Sequence, residues 1–112
     1  MDINSEVKAA VEAAQVSAHA AAKKFYDEKL GGKDNYPCGF AWVKVYEKGN
    51  TRLGRALLKN GFKKSYSGGL EMWNPSGLPC QNVDVKEAGA EAAAKVLIEK
   101  LGVKAYAGSR LD

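Results

Sequence analysis

The spacing of apolar residues predicts a long helix at the start of the chain. Between positions 3 and 29, apolar residues, most of them alanine, recur at steps of three and four, which is typical of an amphipathic helix. Asp2 or Asn4 is the candidate N-cap residue. With a rise of about 1.5 Å per residue, such a helix is about 40 Å long. Because alanine lets helix backbones approach closely, we expect this stripe to pack against another helix, in the same chain or in a partner.

The clearest strand follows at Tyr36 to Tyr46, and it has two different faces. Alternate residues of a strand point to opposite sides, so alanine and valine form a small aliphatic face and aromatic residues form the other. The aromatic face carries Phe40, Trp42, Lys44 and Tyr46. A lysine in the middle is unusual for a surface that is only buried. Two interpretations stay open: this face meets a flat ligand, or the long first helix covers it.

The remaining pattern predicts a β-α-β-β-α-β order after the first helix. The predicted bounds of the later elements are 51–60, 62–66, 70–74, 84–101 and 103–107. Asp84 and Glu87 resemble an acidic capping box at the start of the last helix. The order predicts a ferredoxin-like α+β fold, with a mostly antiparallel sheet of four strands, helices on one face, and the first and third strands in the centre. The long N-terminal helix is an addition to this fold.

Length and composition indicate one domain, residues 1–112, with the N-terminal helix in 1–30 and the α/β core in 36–112. No apolar run approaches the roughly 20 residues that span a bilayer, and no secretory signal is visible. We therefore expect a cytoplasmic protein, in which Cys38 and Cys80 stay reduced. The residue spacing indicates no metal or other cofactor.

Positive charge is concentrated in one segment. The net charge is only +4, but residues 44–64 hold seven lysines or arginines against Glu47 alone. Arg52, Arg55 and Lys59 are spaced by three and four, so they project from one side of the predicted short helix. Such a stripe is usually a solvated face, and the lack of carboxylates gives slight support to the alternative of a phosphate-binding surface.

The aromatic strand and the basic segment together indicate an anionic ligand that contains a base. Aromatic side chains stack on bases, and lysine or arginine neutralises phosphates. RNA-recognition domains use this architecture, although their third-strand motif of basic, glycine and aromatic residues is absent from positions 67–73. We expect a non-enzymatic binding module for a nucleotide or single-stranded nucleic acid. The candidate ligand-binding residues are Trp42, Lys44, Tyr46, Arg52, Arg55, Lys59, Lys63 and Arg110.

The competing hypothesis is a structural or protein-interaction domain that oligomerises through its N-terminal helix, with the charges serving solubility. Residues 107–110, Ala-Gly-Ser-Arg, are a further candidate for holding a phosphate or carboxylate, with a frayed tail or an Arg110–Asp112 pair as the alternative. Cys38 is a poor candidate for a nucleophile, because the only histidine, His19, lies on a different element. Enzymatic function is therefore not supported.

Two stretches of the chain carry a resemblance to a known group of proteins. They are residues 36–43 (Tyr-Pro-Cys-Gly-Phe-Ala-Trp-Val) and 105–112 (Ala-Tyr-Ala-Gly-Ser-Arg-Leu-Asp). Together they resemble short proteins encoded by bacteriophages, most of which carry no assigned function, so no catalytic residues are implied. The resemblance implies a protein made in the cytoplasm of an infected bacterium, as an accessory factor that acts on host nucleic acid or nucleotide signals.

Overall fold

The structure, a computed structural model that describes residues 2–34 and 36–112, contains the helices and strands in the predicted order. The helices are α1 (Ile3–Lys29), α2 (Arg52–Lys59) and α3 (Val83–Leu101), and the strands are β1 (Gly39–Val45), β2 (Lys63–Lys64), β3 (Leu70–Trp73) and β4 (Ala105–Leu111). The predicted α+β fold, with a four-stranded antiparallel sheet and a long N-terminal helix, is confirmed.

The sheet has the order β2-β3-β1-β4, so β1 and β3 are central, as predicted. β1 pairs along its whole length with β4, from Gly39 opposite Leu111 to Val45 opposite Ala105. Compared with the prediction, β2 is shorter and β4 begins later and extends further along the chain. Gly102 ends α3 in the left-handed conformation (φ 65°), and the residues after it connect the helix to the sheet. The strand therefore starts only at Ala105.

All three helices lie on the same side of the sheet. Their apolar residues form one core with the aliphatic face of β1, including Val43 and Val45. α1 packs along α3 and also contacts α2, so it lies in the helical layer between them. This is a departure from a strict ferredoxin-like arrangement, in which two helices cover the sheet. The aromatic face of β1 is left open as a consequence.

The alanine stripe of α1 packs against α3 of the same chain. Its buried members are Val7, Ala10, Val11, Ala14, Ala18 and Ala22. A Cβ added to Gly89 of α3 would lie 3.1 Å from the carbonyl oxygen of Ala18, so the two backbones approach closely. Oligomerisation through α1 stays a prediction, and it would have to use the outer side of the helix, where Val16 is 72% exposed.

Side-chain caps fix where the helices begin. Asp2, one of the two predicted N-cap residues, is the N-cap of α1 and accepts a hydrogen bond from the Ser5 N–H at 2.9 Å. The predicted capping box of Asp84 and Glu87 is wrong, because Asn82 is the N-cap of α3. The Asp34 carboxylate accepts the N–H of Asn82 at 3.0 Å and thereby holds the helix start in place.

The groups that serve catalysis in other proteins are dispersed here. Cys38 and Cys80 are free thiols, and burial raises the pKa of Cys80, which keeps it protonated. Nδ1 of His19 lies 3.0 Å from the carbonyl oxygen of Ser76. Within residues 2–34 and 36–112, no cluster of histidine, cysteine and carboxylate side chains is suited to a metal ion. None of the described helices is long and apolar enough to cross a bilayer.

Candidate functional site

The side of the sheet turned away from the helices carries five aromatic residues, and we call it the open face. Alternation places Phe40 and Trp42 of β1 on this side, and strand pairing adds Trp73 of β3 and Tyr106 of β4. Tyr46 continues β1, because its N–H donates to the backbone just before β4 at 2.9 Å. The exposed fractions of Tyr46, Trp73 and Tyr106 are 58%, 44% and 39%. Among the described elements, no helix packs over these rings.

Phe40, Trp42 and Trp73 form the first aromatic group. The ring centroid of Trp73 lies 4.9 Å from that of Trp42 and 5.7 Å from that of Phe40. The Trp73 Nε1–H donates to the Glu71 carboxylate at 2.9 Å, which orients the indole. Trp42 lies against Gly108, where an added Cβ would come within 2.5 Å of the Trp42 Nε1 atom. The missing side chain at position 108 therefore makes room for the Trp42 indole.

Two cations lie over the first aromatic group. The Arg110 guanidinium carbon is 5.5 Å from the Phe40 centroid and 5.7 Å from the Trp73 centroid, within the range of cation–π attraction. Lys86 Nζ lies 5.3 Å from the Phe40 centroid and donates to a backbone carbonyl at 2.8 Å. Among the described residues Arg110 forms no ion pair, so the alternative of a pair with Asp112 is not observed.

Tyr46 and Tyr106 form the second aromatic group. Their ring centroids are 5.3 Å apart, and the Tyr46 hydroxyl donates to the Tyr106 hydroxyl at 3.3 Å. The hydrogen bond between the two hydroxyls raises the pKa of Tyr106. Tyr46 lies four positions after Trp42 along the strand, which is about 13 Å at about 3.3 Å per residue. The open face therefore offers two aromatic surfaces rather than one.

Lys44 lies between the two aromatic groups but is covered. Only 5% of it is exposed, and its ammonium donates to the Ser67 hydroxyl in the β2–β3 connection. The aliphatic part packs against the same connection, where an added Cβ at Gly69 would lie 3.5 Å from Lys44 Cγ. Lys44 was predicted to contact ligand, but its side chain is not part of the exposed surface.

The predicted basic stripe lies on the other side of the molecule. Its exposed members are Arg52, Arg55 and Lys59. α2 buries Leu57 in the core beneath the sheet, so its outer side is turned away from the open face. Lys63, in contrast, is exposed on β2 directly opposite Glu71 and lies at the edge of the open face. The structure thus brings Lys63 and Arg110 to the aromatic residues and separates the α2 cations from them.

A cleft of about 590 Å³ adjoins the open face at Tyr46. It lies between the β1–α2 turn and the β2–β3 connection, and Lys48 and Lys64 contribute two cations to its lining against Glu47. Gly49 allows the Lys64 side chain to cross the turn, because an added Cβ there would be 2.9 Å from Lys64 Cε. The cleft extends the basic rim beyond the second aromatic group.

Sequence reasoning missed Trp73, Tyr106 and Lys86. Trp73 lies in a strand predicted to neighbour β1, so strand alternation could have placed it on the open face. No sequence pattern could have placed Lys86 there, because it belongs to a helix on the other side of the sheet. The segment 107–110 was predicted to follow a strand but lies inside β4, where Gly108 pairs with Trp42, and its role in anion binding stays a prediction. The backbone groups of Gly108 and Arg110 bond to β1 and are therefore not available to an anion.

Comparison with other proteins adds no further assignment. The chain matches no protein-family model. No curated protein sequence and no solved structure is similar enough to match it either.

Proposed function

We propose that the open face binds single-stranded nucleic acid and catalyses no reaction on it. The observation that carries the proposal is the pair of aromatic groups on an uncovered sheet face, with Arg110 over the first of them. Exposed aromatic rings are a stacking platform for unpaired bases, each stack contributing about 1–3 kcal/mol. Bases in a duplex are already stacked and paired, so the surface favours a single strand.

The distance between the groups favours a polymer over a free nucleotide. One base that stacks on Trp73 leaves Tyr46 uncovered, because Tyr46 lies about 13 Å further along the strand. A chain of several nucleotides occupies both groups. A mononucleotide gains only one of the two stacking contributions, so we expect it to bind much more weakly than an oligonucleotide.

The charges around the open face fit a phosphate backbone. Lys63, Lys86 and Arg110 surround the aromatic groups, and Lys48 and Lys64 follow in the cleft beside Tyr46. Glu71 is turned towards Trp73 Nε1, so its carboxylate has a donor of its own. Together with the resemblance to bacteriophage proteins, the proposal describes an accessory factor that binds nucleic acid in the cytoplasm of an infected bacterium.

The first test is a titration of fluorescently labelled single-stranded DNA and RNA at several salt concentrations, followed by anisotropy. Three to five phosphate contacts release counterions, so log affinity is expected to fall against log salt with a slope of about −2 to −3.5. A duplex of equal length and a mononucleotide serve as comparisons and are expected to bind more weakly. Absence of single-strand binding at low salt would overturn the proposal.

Arg110 and Arg55 provide a matched test of which side of the molecule binds. We expect Arg110→Gln to weaken binding and to reduce the salt slope by about 0.7, the value for one phosphate contact on a single strand. Arg55→Gln removes the same charge from the outer side of α2 and is expected to leave the slope unchanged. Equal effects from the two variants would show that total charge, and not the open face, determines affinity.

A further inference from the structure

Among the described strands, none pairs with the outer edge of β4. The N–H of Tyr46 donates to Lys104, and the N–H of Asp112 donates to Cys38, so the even-numbered residues of this strand bond to β1. The odd-numbered residues between them direct their N–H and C=O groups away from β1. Four residues therefore present free backbone groups at this edge: Ala105, Ala107, Ser109 and Leu111.

The two edges of the sheet are protected to different degrees. The other edge is β2, which has two residues, both exposed lysines. Short length and lysine are the usual means by which proteins block edge-to-edge pairing. β4 has seven residues, and it contains no lysine and no proline. A long edge without such protection is a template for another strand.

The charges that flank β4 fit β4 of a second copy. When Gly108 lies opposite Gly108 in an antiparallel pair, Lys104 lies opposite Asp112 and Tyr106 opposite Arg110, and the two-fold axis repeats each pairing. This register also directs the free backbone groups of both strands at each other. A shift towards the start of the strand places Lys104 opposite Arg110, which is a like-charge pair, and a shift the other way places Asp112 opposite Tyr106, which separates it from Lys104. Only the central register satisfies the charges.

The apolar residues beside this edge fit the same register. Leu111 is 68% exposed and Ile98 of α3 is 45% exposed. Ile98 shares a helix face with Glu87, to which the Ser109 hydroxyl donates, because eleven residues make about three helical turns. Ile98 therefore lies beside the start of β4 on the helical side. In the central register, Leu111 of the second copy lies opposite Ala105 and reaches Ile98.

We propose that two copies of this chain pair antiparallel through β4 and form a dimer with one continuous sheet. The backbone groups of the odd-numbered residues complete the ladder, Lys104 and Asp112 pair at both ends, and Leu111 covers Ile98. The open faces of the two copies become one surface, with the Trp42 side chains on either side of the two-fold axis. The dimer does not depend on a ligand, so its test is independent of the test of the proposed function.

Sedimentation equilibrium of the purified chain, without nucleic acid, tests this dimer. The chain is expected to dimerise, and Lys104→Asp or Asp112→Lys alone is expected to weaken dimerisation by about 5- to 30-fold, since each places like charges opposite each other twice. The double variant Lys104→Asp/Asp112→Lys restores opposite charges and is expected to recover the dimer. Lys8→Asp on α1 is the matched control and should have no effect.

Ala107→Pro is expected to block pairing at the β4 edge without disturbing the fold of the chain. The N–H of Ala107 points to the free edge, so proline removes no hydrogen bond to β1 but blocks the ladder of the dimer. We expect a folded monomer, with the helical circular dichroism of the original chain. A chain that stays monomeric throughout the titration, or a charge-swapped double variant that does not recover the dimer, would overturn the proposal.

Discussion

Replacing Trp73 with alanine is expected to weaken binding of a single-stranded oligonucleotide by about 5- to 150-fold, because one stacking side chain contributes about 1–3 kcal/mol. Trp73 is 44% exposed and contacts the rings of Phe40 and Trp42 on the open face, so the substitution removes a platform without opening the core. The affinity is measured by anisotropy and the fold by thermal denaturation. We expect the loss of affinity without a large change in melting temperature.

Two further variants make this result specific. Tyr66 is fully exposed in the connection between β2 and β3 and is not among the ring pairs of the open face, so Tyr66→Ala removes an aromatic ring that belongs to neither aromatic group. It is expected to keep the original affinity. Trp73→Phe retains a ring and is expected to lie between the original chain and Trp73→Ala. A loss of affinity in Tyr66→Ala as large as that in Trp73→Ala would contradict binding through the open face.

The position of the aromatic face and three of its five aromatic residues followed from the sequence, but the other two did not. Strand alternation in β1 was enough to place Phe40, Trp42 and Tyr46 together. Trp73 and Tyr106 join them only through the register of two other strands, and the hydrophobic pattern of one strand does not determine its register against another. Charge clustering along the sequence was misleading for a similar reason. Residues 44–64 run from the sheet to the helical layer and back to the sheet. Cations that are close together in the sequence therefore lie on opposite sides of the molecule.

The composition of the first helix predicted that it packs against another helix, but not which helix. Its alanine stripe correctly predicted close helix packing, but α3 has an apolar surface that accepts the stripe just as well as a partner chain would. Gly89 favours the contact within the chain, because a Cβ there would lie 3.1 Å from the Ala18 carbonyl oxygen of α1. The signal for this contact lies in one residue on another helix. With α1 placed against α3, the sheet keeps one face free for the aromatic residues.

Gly54→Ala is expected to destabilise the chain by about 1–3 kcal/mol, although glycine to alanine in a helix interior normally stabilises by about 1 kcal/mol. A Cβ at position 54 would lie 1.8 Å from the carbonyl oxygen of Lys48, a backbone atom that cannot rotate away. The same carbonyl accepts the Thr51 hydroxyl at 3.0 Å, and Thr51 caps α2 through the Gly54 N–H at 2.9 Å. The added methyl group therefore forces apart the turn and the helix start that it caps.

Gly49→Ala is the matched control for this prediction, because it adds the same methyl group to the same turn. Its nearest neighbour is Lys64 Cε at 2.9 Å, near the end of a flexible side chain that moves at little cost. Chemical denaturation of both variants is expected to show a lower midpoint for Gly54→Ala and a small change for Gly49→Ala. A Gly54→Ala chain as stable as the original would mean that the turn is not held against α2.

The turn also carries Tyr46 and Lys48 into the basic cleft, so we expect Gly54→Ala to weaken nucleic-acid binding as well as stability. Trp73→Ala, in contrast, is expected to weaken binding without a large loss of stability.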